Sequence, residues 1–229
     1  MKSTLFVFRH AQSTDNAAHL FSGWRNPSLT PKGKREALHT RAQLKGLPVD
    51  LGFSSSERRA MQTLRIVLGS RRIPTIIDDR IIERCYGVLQ GQSKKKLAKV
   101  NARLVHYYRR DFRAQPPFGE SVEMVHTRTL AFIRELLPIL RRYRCNVAVS
   151  CHGNSMRPIR RFFEHLSISA EMKLENPQDK AMVYHIITSG KRLPRSFSWK
   201  GVVKPTEVIY ASDARNPLRK FYSKKQRTV

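Results

Sequence analysis

Two short apolar runs in this sequence each end in a histidine, and they constrain the fold more than any other feature. Residues 5–8 lead into Arg9 and His10, and residues 146–151 lead into His152. Runs of this length are typical of strands buried on both faces of a parallel sheet. Because parallel strands end at one edge of a sheet, where ligands bind, both histidines are expected at one site.

Strand and helix patterns alternate along the chain. Apolar or alternating runs typical of strands lie at residues 4–8, 49–54, 74–78, 146–151 and 182–188. The alternation predicts an α/β fold, a three-layer α/β/α sandwich around a mainly parallel sheet. Helix-start signals support it: Thr30 and Pro31 begin one helix. Ser54 and Glu57 predict a capping box for the next helix, which would place Arg59 in the first turn.

The length of 229 residues fits a single domain over residues 1–229 with an inserted cap better than two independent units. The cap is predicted at about residues 87–119, where periodicity is weak and Lys, Arg and Tyr are frequent. A basic C-terminal tail covers about residues 213–229. A helical pattern begins near residue 120, and Pro138 is expected to kink that helix or end it early. Another helix is expected to start near Ser155.

The net charge of +27, from 44 Lys and Arg against 17 Asp and Glu, predicts attraction to anions. No apolar run is long enough for a membrane span, and the N-terminus leads straight into a strand, so a cytoplasmic location without membrane contact is expected. Three cysteines, Cys85, Cys145 and Cys151, form neither a disulfide framework nor a zinc pattern. They are interpreted as reduced thiols.

Arginines beside the histidines indicate a phosphate pocket. Arg9 precedes His10, and Arg59 is expected at a strand-to-helix junction. Guanidinium groups bind phosphate bidentately and repel a divalent cation. A zinc site would also need a third ligand, and the residues offer no nearby carboxylate. In such a pocket a neutral imidazole can attack phosphorus and carry the phosphoryl group as a covalent intermediate, without a metal.

Several sequence blocks then show a resemblance to a known family. In chain order they are RHAQSTDN with FSGW, SSSERRAMQT, ERCYGVLQGQSK, YRRD, PPFGES and CHGNSMR. Together these blocks resemble the histidine phosphatase superfamily, most closely its cofactor-dependent phosphoglycerate mutases, from about residue 4 to residue 186. The resemblance implies interconversion of 3-phosphoglycerate and 2-phosphoglycerate through a phosphohistidine. It also implies 2,3-bisphosphoglycerate as the primer and no metal.

The resemblance also implies a role for each matching residue. His10 is the implied nucleophile, and Arg9, Arg59 and His152 surround the transferring phosphoryl group. Glu83 is the implied proton donor and acceptor. Contacts to phosphate or substrate are implied for Asn16, Ser22, Gly23, Tyr86, Lys94, Arg109, Arg110, Gly153 and Asn154.

The chain departs from the family's usual pattern at four positions near these residues. Ala11 stands where glycine is usual, Gln12 where glutamate is, Asp15 where an aromatic residue is common, and Cys85 where histidine is. The methyl group of Ala11 could crowd the loop or reposition His10. These departures bear on rate and substrate preference more than on the reaction class.

Two alternative functions stay open. A histidine-type phosphatase acting on small phosphomonoesters would need only the inner phosphate site, whereas a mutase needs the further cations Lys94, Arg109 and Arg110. A basic, nucleic-acid-associated protein that has kept the fold would use its positive charge for phosphate-backbone contacts. Tyr107 and Tyr108 beside those arginines suit that alternative. For the assembly, a homodimer and a homotetramer are both left open.

Overall fold

The computed structural model describes residues 1–194 together with Phe197 and Trp199, so the predicted basic tail lies outside the described residues. Two short 3₁₀ helices cover Asp79–Ile81 and Gly87–Leu89. The other elements of the described residues are, in order, β1 (Lys2–Arg9), α1 (Thr14–Ala17), α2 (Pro31–Gln43), β2 (Leu51–Ser54), α3 (Arg58–Leu68), β3 (Thr75–Ile77), α4 (Lys94–Arg110), α5 (Val122–Arg142), β4 (Tyr143–Arg144), β5 (Val147–Cys151), α6 (Gly153–Glu164), α7 (Ile168–Lys173), β6 (Ala181–Ile187) and β7 (Lys191–Arg192).

The central sheet has the strand order β3-β2-β5-β1-β6. Neighbouring strands from β3 to β1 run parallel, and β6 runs antiparallel to β1 at the edge of the sheet. The prediction of a mainly parallel sheet is confirmed. Strand direction at β6 could not be predicted, because an apolar run does not reveal which neighbour it pairs with.

Helices cover both faces of this sheet, as β1 illustrates. Leu5 and Val7 belong to an apolar cluster that includes residues of α5 and α6. Phe6 and Phe8 point to the opposite face, into a cluster that includes residues of α3. Since successive side chains of a strand alternate between faces, a strand covered on both sides must be apolar throughout. The three-layer α/β/α prediction is thereby confirmed.

The helix starts near the two histidine segments differ from prediction. The predicted Ser54–Glu57 capping box is wrong: Ser54 lies in β2 and its hydroxyl donates to the carbonyl of Ser55. α3 begins at Arg58 with Glu57 as N-cap, and Glu57 makes no side-chain capping bond. Arg59 still lies in the first turn, as predicted. α6 begins at Gly153, two residues before the predicted start at Ser155.

The helix after residue 120 does not end early. α5 contains Pro138 in its interior and continues to Arg142. A proline inside a helix costs about 3 kcal/mol. The buried side chains of Phe132, Ile133 and Leu140, which pack onto the sheet, offset that cost. In the part of the chain that the structure describes, each helix is too short or too polar to span a bilayer.

The segment predicted as a cap contains a long helix that the sequence pattern did not reveal. α4 starts at Ser93, whose hydroxyl accepts from the backbone N–H of Lys96. Only Val105 of this helix is buried. Most residues of the helix are charged or polar, so its few apolar side chains gave a weak signal. The division into a single domain with a cap at about 87–119 stays a prediction.

Candidate active site

The two strand-end histidines meet at one edge of the sheet. β1 and β5 are neighbours, and their register pairs Arg9 with Cys151. The next residue on each strand is therefore His10 and His152, and the N–H of His10 donates to the carbonyl of Cys151 at 2.8 Å. The two buried rings have centroids 5.0 Å apart. This is the arrangement that the two apolar runs predict.

His10 is held as a neutral imidazole whose Nε2 carries no hydrogen. Its Nδ1 lies 2.8 Å from the carbonyl oxygen of Ala11, which only accepts, so Nδ1 carries the hydrogen and donates it. Nε2 accepts from Nε of Arg59 at 3.2 Å. Burial, together with the charges of Arg59 and Arg9, holds the pKa of His10 well below its ordinary value. Nε2 is therefore unprotonated at neutral pH, which is the form that can act as a nucleophile.

Arg59 is a fully buried cation next to Nε2 of His10. Its Nη1 donates to the carbonyl of Arg25 at 2.7 Å and its Nη2 to the carbonyl of Gly23 at 2.9 Å. Gly23 has a φ of +51°, a conformation that favours glycine, and a side chain there would collide with Gln90. The FSGW block and the following Arg25 thus form a loop whose carbonyls, at Gly23 and Arg25, fix the orientation of Arg59.

Arg9 is the second inner cation. Its Nη1 donates to the backbone carbonyl of Asn176 at 3.2 Å. Its Nε is buried and has no hydrogen-bond partner among the described residues. Burial lowers the pKa of Arg9, although Glu83 opposes that effect. A buried guanidinium N–H without a partner suits an anionic ligand.

Glu83 is an ionised carboxylate close to both histidines. Its Oε1 accepts from the backbone N–H of Arg84 at 2.8 Å and from Nδ2 of Asn154 at 2.9 Å. Burial alone would raise the pKa of Glu83, but Arg59 and these hydrogen bonds outweigh it and lower the pKa. Nδ2 of Asn154 also contacts the hydroxyl of Tyr86 at 3.0 Å. Glu83 is therefore able to accept a proton in the resting site.

His152 faces two oxygen groups on one side. Its Nε2 lies 2.7 Å from Oγ of Ser55 and 3.1 Å from Oε2 of Glu57. Its Nδ1 is buried and has no hydrogen-bond partner among the described residues. Burial and then the charge of Arg59 hold the pKa of His152 well below its ordinary value.

These side chains surround a small polar cavity of about 120 Å³. Every site residue predicted from the sequence, apart from His152, lines it. The lining residues from that prediction are Arg9, His10, Asn16, Ser22, Gly23, Arg59, Glu83, Tyr86, Lys94, Arg109, Arg110, Gly153 and Asn154.

Four further residues line the cavity and were missed by sequence reasoning: Arg157, Leu174, Glu175 and Asn176. Arg157 lies one turn after Gly153 on α6, so helical spacing could have found it. The other three belong to the loop after α7, for which the sequence shows no pattern. This loop contacts the site directly, because Nε2 of Gln178 donates to the carbonyl of His10 and to Oδ1 of Asn16.

Both ends of α4 line the cavity. Lys94 is the first residue of this 17-residue helix and Arg110 the last, and a straight helix of that length would separate its ends by about 25 Å. The backbone of Asn101 is not helical, with a φ of −151°. The kink at Asn101 brings both ends to one cavity. Burial first, then Arg109 and Arg9, lower the pKa of Lys94 to about 8.

One carboxylate occupies the outer part of this cationic site. Oε1 of Glu175 lies 2.8 Å from Nη2 of Arg110, and the hydrogen bond from Arg110 lowers the pKa of Glu175. A ligand anion that binds Arg110 therefore has to compete with Glu175.

The positions of His10, Glu83 and His152 correct the inference from the sequence that no carboxylate lies near the two histidines. One possible ligand atom from each lies within 4.8 Å of the others, so the fold does supply the carboxylate that the sequence did not suggest. A metal at this position would have to displace the N–H of Arg59 from Nε2 of His10. It would also meet the charges of Arg59 and Arg9. The two arginines therefore make the cluster better suited to an anion than to a divalent cation.

Three of the residues that depart from the family pattern have definite places. Ala11 is fully buried, and its methyl group packs in a small cluster with Leu29 and Ala37, so it does not crowd the loop. Oδ2 of Asp15 lies 2.8 Å from Nε of Arg25. The backbone carbonyl of Arg25 in turn accepts a hydrogen bond from Arg59. Cys85 is buried as a free thiol.

Comparisons with known proteins identify relatives of this chain. The family described as the histidine phosphatase superfamily (branch 1) matches residues 5–197. The 2,3-bisphosphoglycerate-dependent phosphoglycerate mutase of Azorhizobium caulinodans is 38% identical over 194 residues, covering 81% of this chain and 93% of the relative. The 2,3-bisphosphoglycerate-dependent phosphoglycerate mutase of Protochlamydia amoebophila is 32% identical over 211 residues, covering 79% of this chain and 93% of the relative.

Solved structures share the fold at lower identity. Bacillus stearothermophilus YhfR superposes with a TM-score of 0.73 at 21% identity, covering 90% of this chain and all of that one. A mycobacterial glucosyl-3-phosphoglycerate phosphatase superposes with a TM-score of 0.68 at 21% identity, covering 81% of this chain and 90% of that one. These likenesses concern the fold alone.

Proposed function

The chain belongs to the histidine phosphatase superfamily, and from that premise we propose that it is a phosphoglycerate mutase. It interconverts 3-phosphoglycerate and 2-phosphoglycerate and is primed by 2,3-bisphosphoglycerate. The observation that carries the proposal is that five cationic side chains line one small cavity. Arg9 and Arg59 lie beside His10, whereas Lys94, Arg109 and Arg110, called here the outer cations, come from the two ends of α4. The names of the curated relatives support it.

The inner residues suit the transfer step. The hydroxyl group of a monophosphoglycerate attacks the phosphorus on Nε2 of phosphorylated His10, and Glu83 accepts the hydroxyl proton. An O–P bond forms, the P–N bond breaks, and 2,3-bisphosphoglycerate lies beside neutral His10. In the return step Nε2 takes the other phosphoryl group, and Glu83 gives its proton back to the leaving oxygen. Arg9 and Arg59 offset the negative charge on the phosphoryl oxygens throughout.

The outer cations suit the second requirement of a mutase, which must hold the intermediate while it turns. The intermediate carries a second phosphate and a carboxylate, and both need positive partners away from His10. Lys94 and the two arginines at the end of α4 provide those charges. A phosphatase for small substrates would have no use for them.

Lys94 predicts a pH dependence of substrate binding. With a pKa of about 8, its ammonium group is present below pH 8 and is lost as pH rises through that value. The KM for 3-phosphoglycerate should therefore rise by up to about tenfold per pH unit above pH 8. In Lys94→Arg, whose guanidinium stays charged, the rise should disappear. Equal rises in both proteins, measured from pH 7 to 9.5, would assign the effect to another group.

Arg109 and Arg110 predict a selective loss of mutase activity. Each charge-assisted contact contributes about 1.5 to 3 kcal/mol, and the two need not add. In the Arg109→Ala/Arg110→Ala protein, kcat/KM for mutase turnover should fall at least about a hundredfold. Hydrolysis of p-nitrophenyl phosphate, which does not extend to the outer cations, should change less than about tenfold.

A matched control separates position from bulk charge. Arg141 and Arg142 are also adjacent arginines in the last turn of a helix, and both are exposed on α5. Their double alanine variant changes the net charge equally and should keep mutase activity. Equal losses in both variants would make general electrostatic steering responsible. Full activity in both would make Arg109 and Arg110 surface residues.

A histidine-type phosphatase acting on small phosphomonoesters is the second candidate. The observation that favours it is the ion pair between Glu175 and Arg110, which partly neutralises the outer end of the cavity. Mutase turnover measured with and without 2,3-bisphosphoglycerate, in the presence of a chelator, distinguishes the candidates. Primer-dependent, chelator-resistant interconversion supports the mutase. Release of inorganic phosphate without interconversion supports the phosphatase.

The remaining expectations stay predictions. They are metal independence, a cytoplasmic location, a homodimer or homotetramer, and the alternative of a nucleic-acid-associated protein. For that alternative, the exposed face of α4 carries Lys95, Lys96, Lys99 and half-exposed Tyr107. DNA binding that falls steeply with salt and survives His10→Ala would support it.

A further inference from the structure

Glu175 places a negative charge among the cations of the candidate active site. It lines the same cavity as Arg109 and Arg110, and its Oε1 lies 2.8 Å from Nη2 of Arg110. The side chain of Glu175 is 78% exposed, whereas that of Arg110 is 31% exposed. The proposed reaction has no step that uses a carboxylate at this position. Its contact with a cation that the substrate needs therefore requires an explanation.

The backbone on either side of Glu175 is held by two arginines that line the cavity. Nη2 of Arg157 donates to the carbonyl of Leu174 at 3.1 Å, and Nη1 of Arg9 donates to the carbonyl of Asn176 at 3.2 Å. Because both neighbours of Glu175 are fixed, the loop holds its carboxylate beside the cavity. The exposed side chain can still leave that position by rotating into water, without a movement of the backbone.

Arg110 has a second contact that is independent of the Glu175 side chain. Its Nη1 donates to the carbonyl of Met172 at 3.2 Å. When the carboxylate of Glu175 turns away, this contact keeps the guanidinium at the cavity and leaves Nη2 available to a ligand oxygen. A ligand with an acidic group at this end thus replaces one carboxylate by another anion. A ligand without such a group leaves the ion pair intact.

We propose that Glu175 is a specificity-determining residue that weakens the preference of the site for substrates with a second acidic group. It occupies Arg110 in the free protein, so the second acidic group has to displace it, whereas a substrate with a single phosphate binds at His10 without disturbing the pair. Ion pairs that are open to water are weak, so the expected effect on affinity is about two- to fivefold. This inference rests on the proposed contact between Arg110 and the second acidic group of the substrate.

Two matched ligands test this inference. 4-Phosphonobutyrate carries a phosphonate and a carboxylate at the same separation along the chain as the phosphate and carboxylate of 3-phosphoglycerate, and propylphosphonate lacks only the carboxylate. Their P–C bonds are not cleaved by phosphoryl transfer, so calorimetry at low ionic strength measures binding without turnover. In Glu175→Gln the dissociation constant of 4-phosphonobutyrate should fall about two- to fivefold. That of propylphosphonate should not change measurably.

A double-mutant cycle tests whether Glu175 acts through Arg110. In Arg110→Ala there is no ion pair to break, so adding Glu175→Gln should improve the binding of 4-phosphonobutyrate less than it does in the unmodified protein. Repulsion through space would instead give an equal or larger gain in Arg110→Ala, and that result would overturn the inference. An unchanged dissociation constant in Glu175→Gln alone would overturn it as well.

Glu135 provides the matched control for the loss of one negative charge. It also pairs with an arginine, since its Oε1 lies 2.8 Å from Nη1 of Arg80, and its side chain is 42% exposed. Neither residue of this pair is among the described residues that line the cavity. Glu135→Gln changes the net charge as Glu175→Gln does, and it should leave both dissociation constants unchanged. A gain equal to that of Glu175→Gln would make bulk charge responsible and overturn the inference.

The binding data also separate a failure of this inference from a failure of the proposed function. If Arg110→Ala weakens 4-phosphonobutyrate binding but Glu175→Gln has no effect, the outer cations keep their proposed role and only the inference is overturned. If 4-phosphonobutyrate and propylphosphonate bind equally well to the unmodified protein and to Glu175→Gln, the carboxylate has no partner in the site. In that case the proposed function and the inference both fail.

Discussion

Replacing His10 by alanine is expected to lower mutase turnover and phosphomonoester hydrolysis by at least about 10⁴-fold, because the attacking nitrogen is removed from both reactions. The structure leaves Nε2 of His10 unprotonated beside Arg59, and no other described histidine occupies that position. Steady-state rates for both substrates, with thermal unfolding to show that the variant folds, provide the measurement.

His19 offers a control for this prediction. It lies nine residues further on, is exposed, and has a φ of +56°. Asparagine tolerates that conformation well, so His19→Asn should fold and keep its activity. Turnover by His10→Ala within a hundredfold of the unmodified protein would remove His10 as the nucleophile. It would also remove the covalent intermediate.

Replacing Arg59 by lysine is expected to lower both activities by about 10³-fold or more. Removing one donor that stabilises developing charge costs about 10² to 10³, and a positioned arginine in phosphoryl transfer can contribute more. A lysine keeps the charge, but its single ammonium cannot donate to the carbonyls of Gly23 and Arg25 while also contacting His10. Lysine also limits the damage that an unpaired buried Glu57 would cause.

The two activities should fall together in this variant, in contrast to the Arg109→Ala/Arg110→Ala protein, because Arg59 serves the transferred phosphoryl group in both reactions. Arg65→Lys is the matched control, since Arg65 lies on the same helix with an exposed side chain. Retention of more than a tenth of the activity in Arg59→Lys, with normal unfolding, would show that Arg59 acts only by its charge.

The inner half of the site was predictable because it depends on strand ends. The runs before His10 and His152 are apolar throughout, and a parallel pairing of their strands brings the two rings together without further information. Arg59 followed from a helix start after a strand, although the capping residues were assigned wrongly. Local sequence patterns sufficed wherever a backbone element alone sets the direction of a side chain.

The outer half was less predictable because it depends on contacts between distant segments. α4 is mostly charged and polar, so its few apolar side chains gave a weak signal, and the kink at Asn101 that brings Lys94 and Arg110 together leaves no sequence signal. The approach of Glu175 to Arg110 spans 65 residues, and loop conformation decides it. Lys94, Arg109 and Arg110 could be placed only through the family resemblance.

The measurement that tests the account most directly follows one labelled phosphoryl group. The protein is incubated with ³²P-labelled 2,3-bisphosphoglycerate and digested at alkaline pH with trypsin, and the label is located within residues 10–25, which contain both His10 and His19. The account predicts label on His10, and its discharge by 3-phosphoglycerate into bisphosphoglycerate. Label on His19 or elsewhere, or no label during turnover, would contradict the phosphohistidine. Discharge only to inorganic phosphate would contradict the mutase.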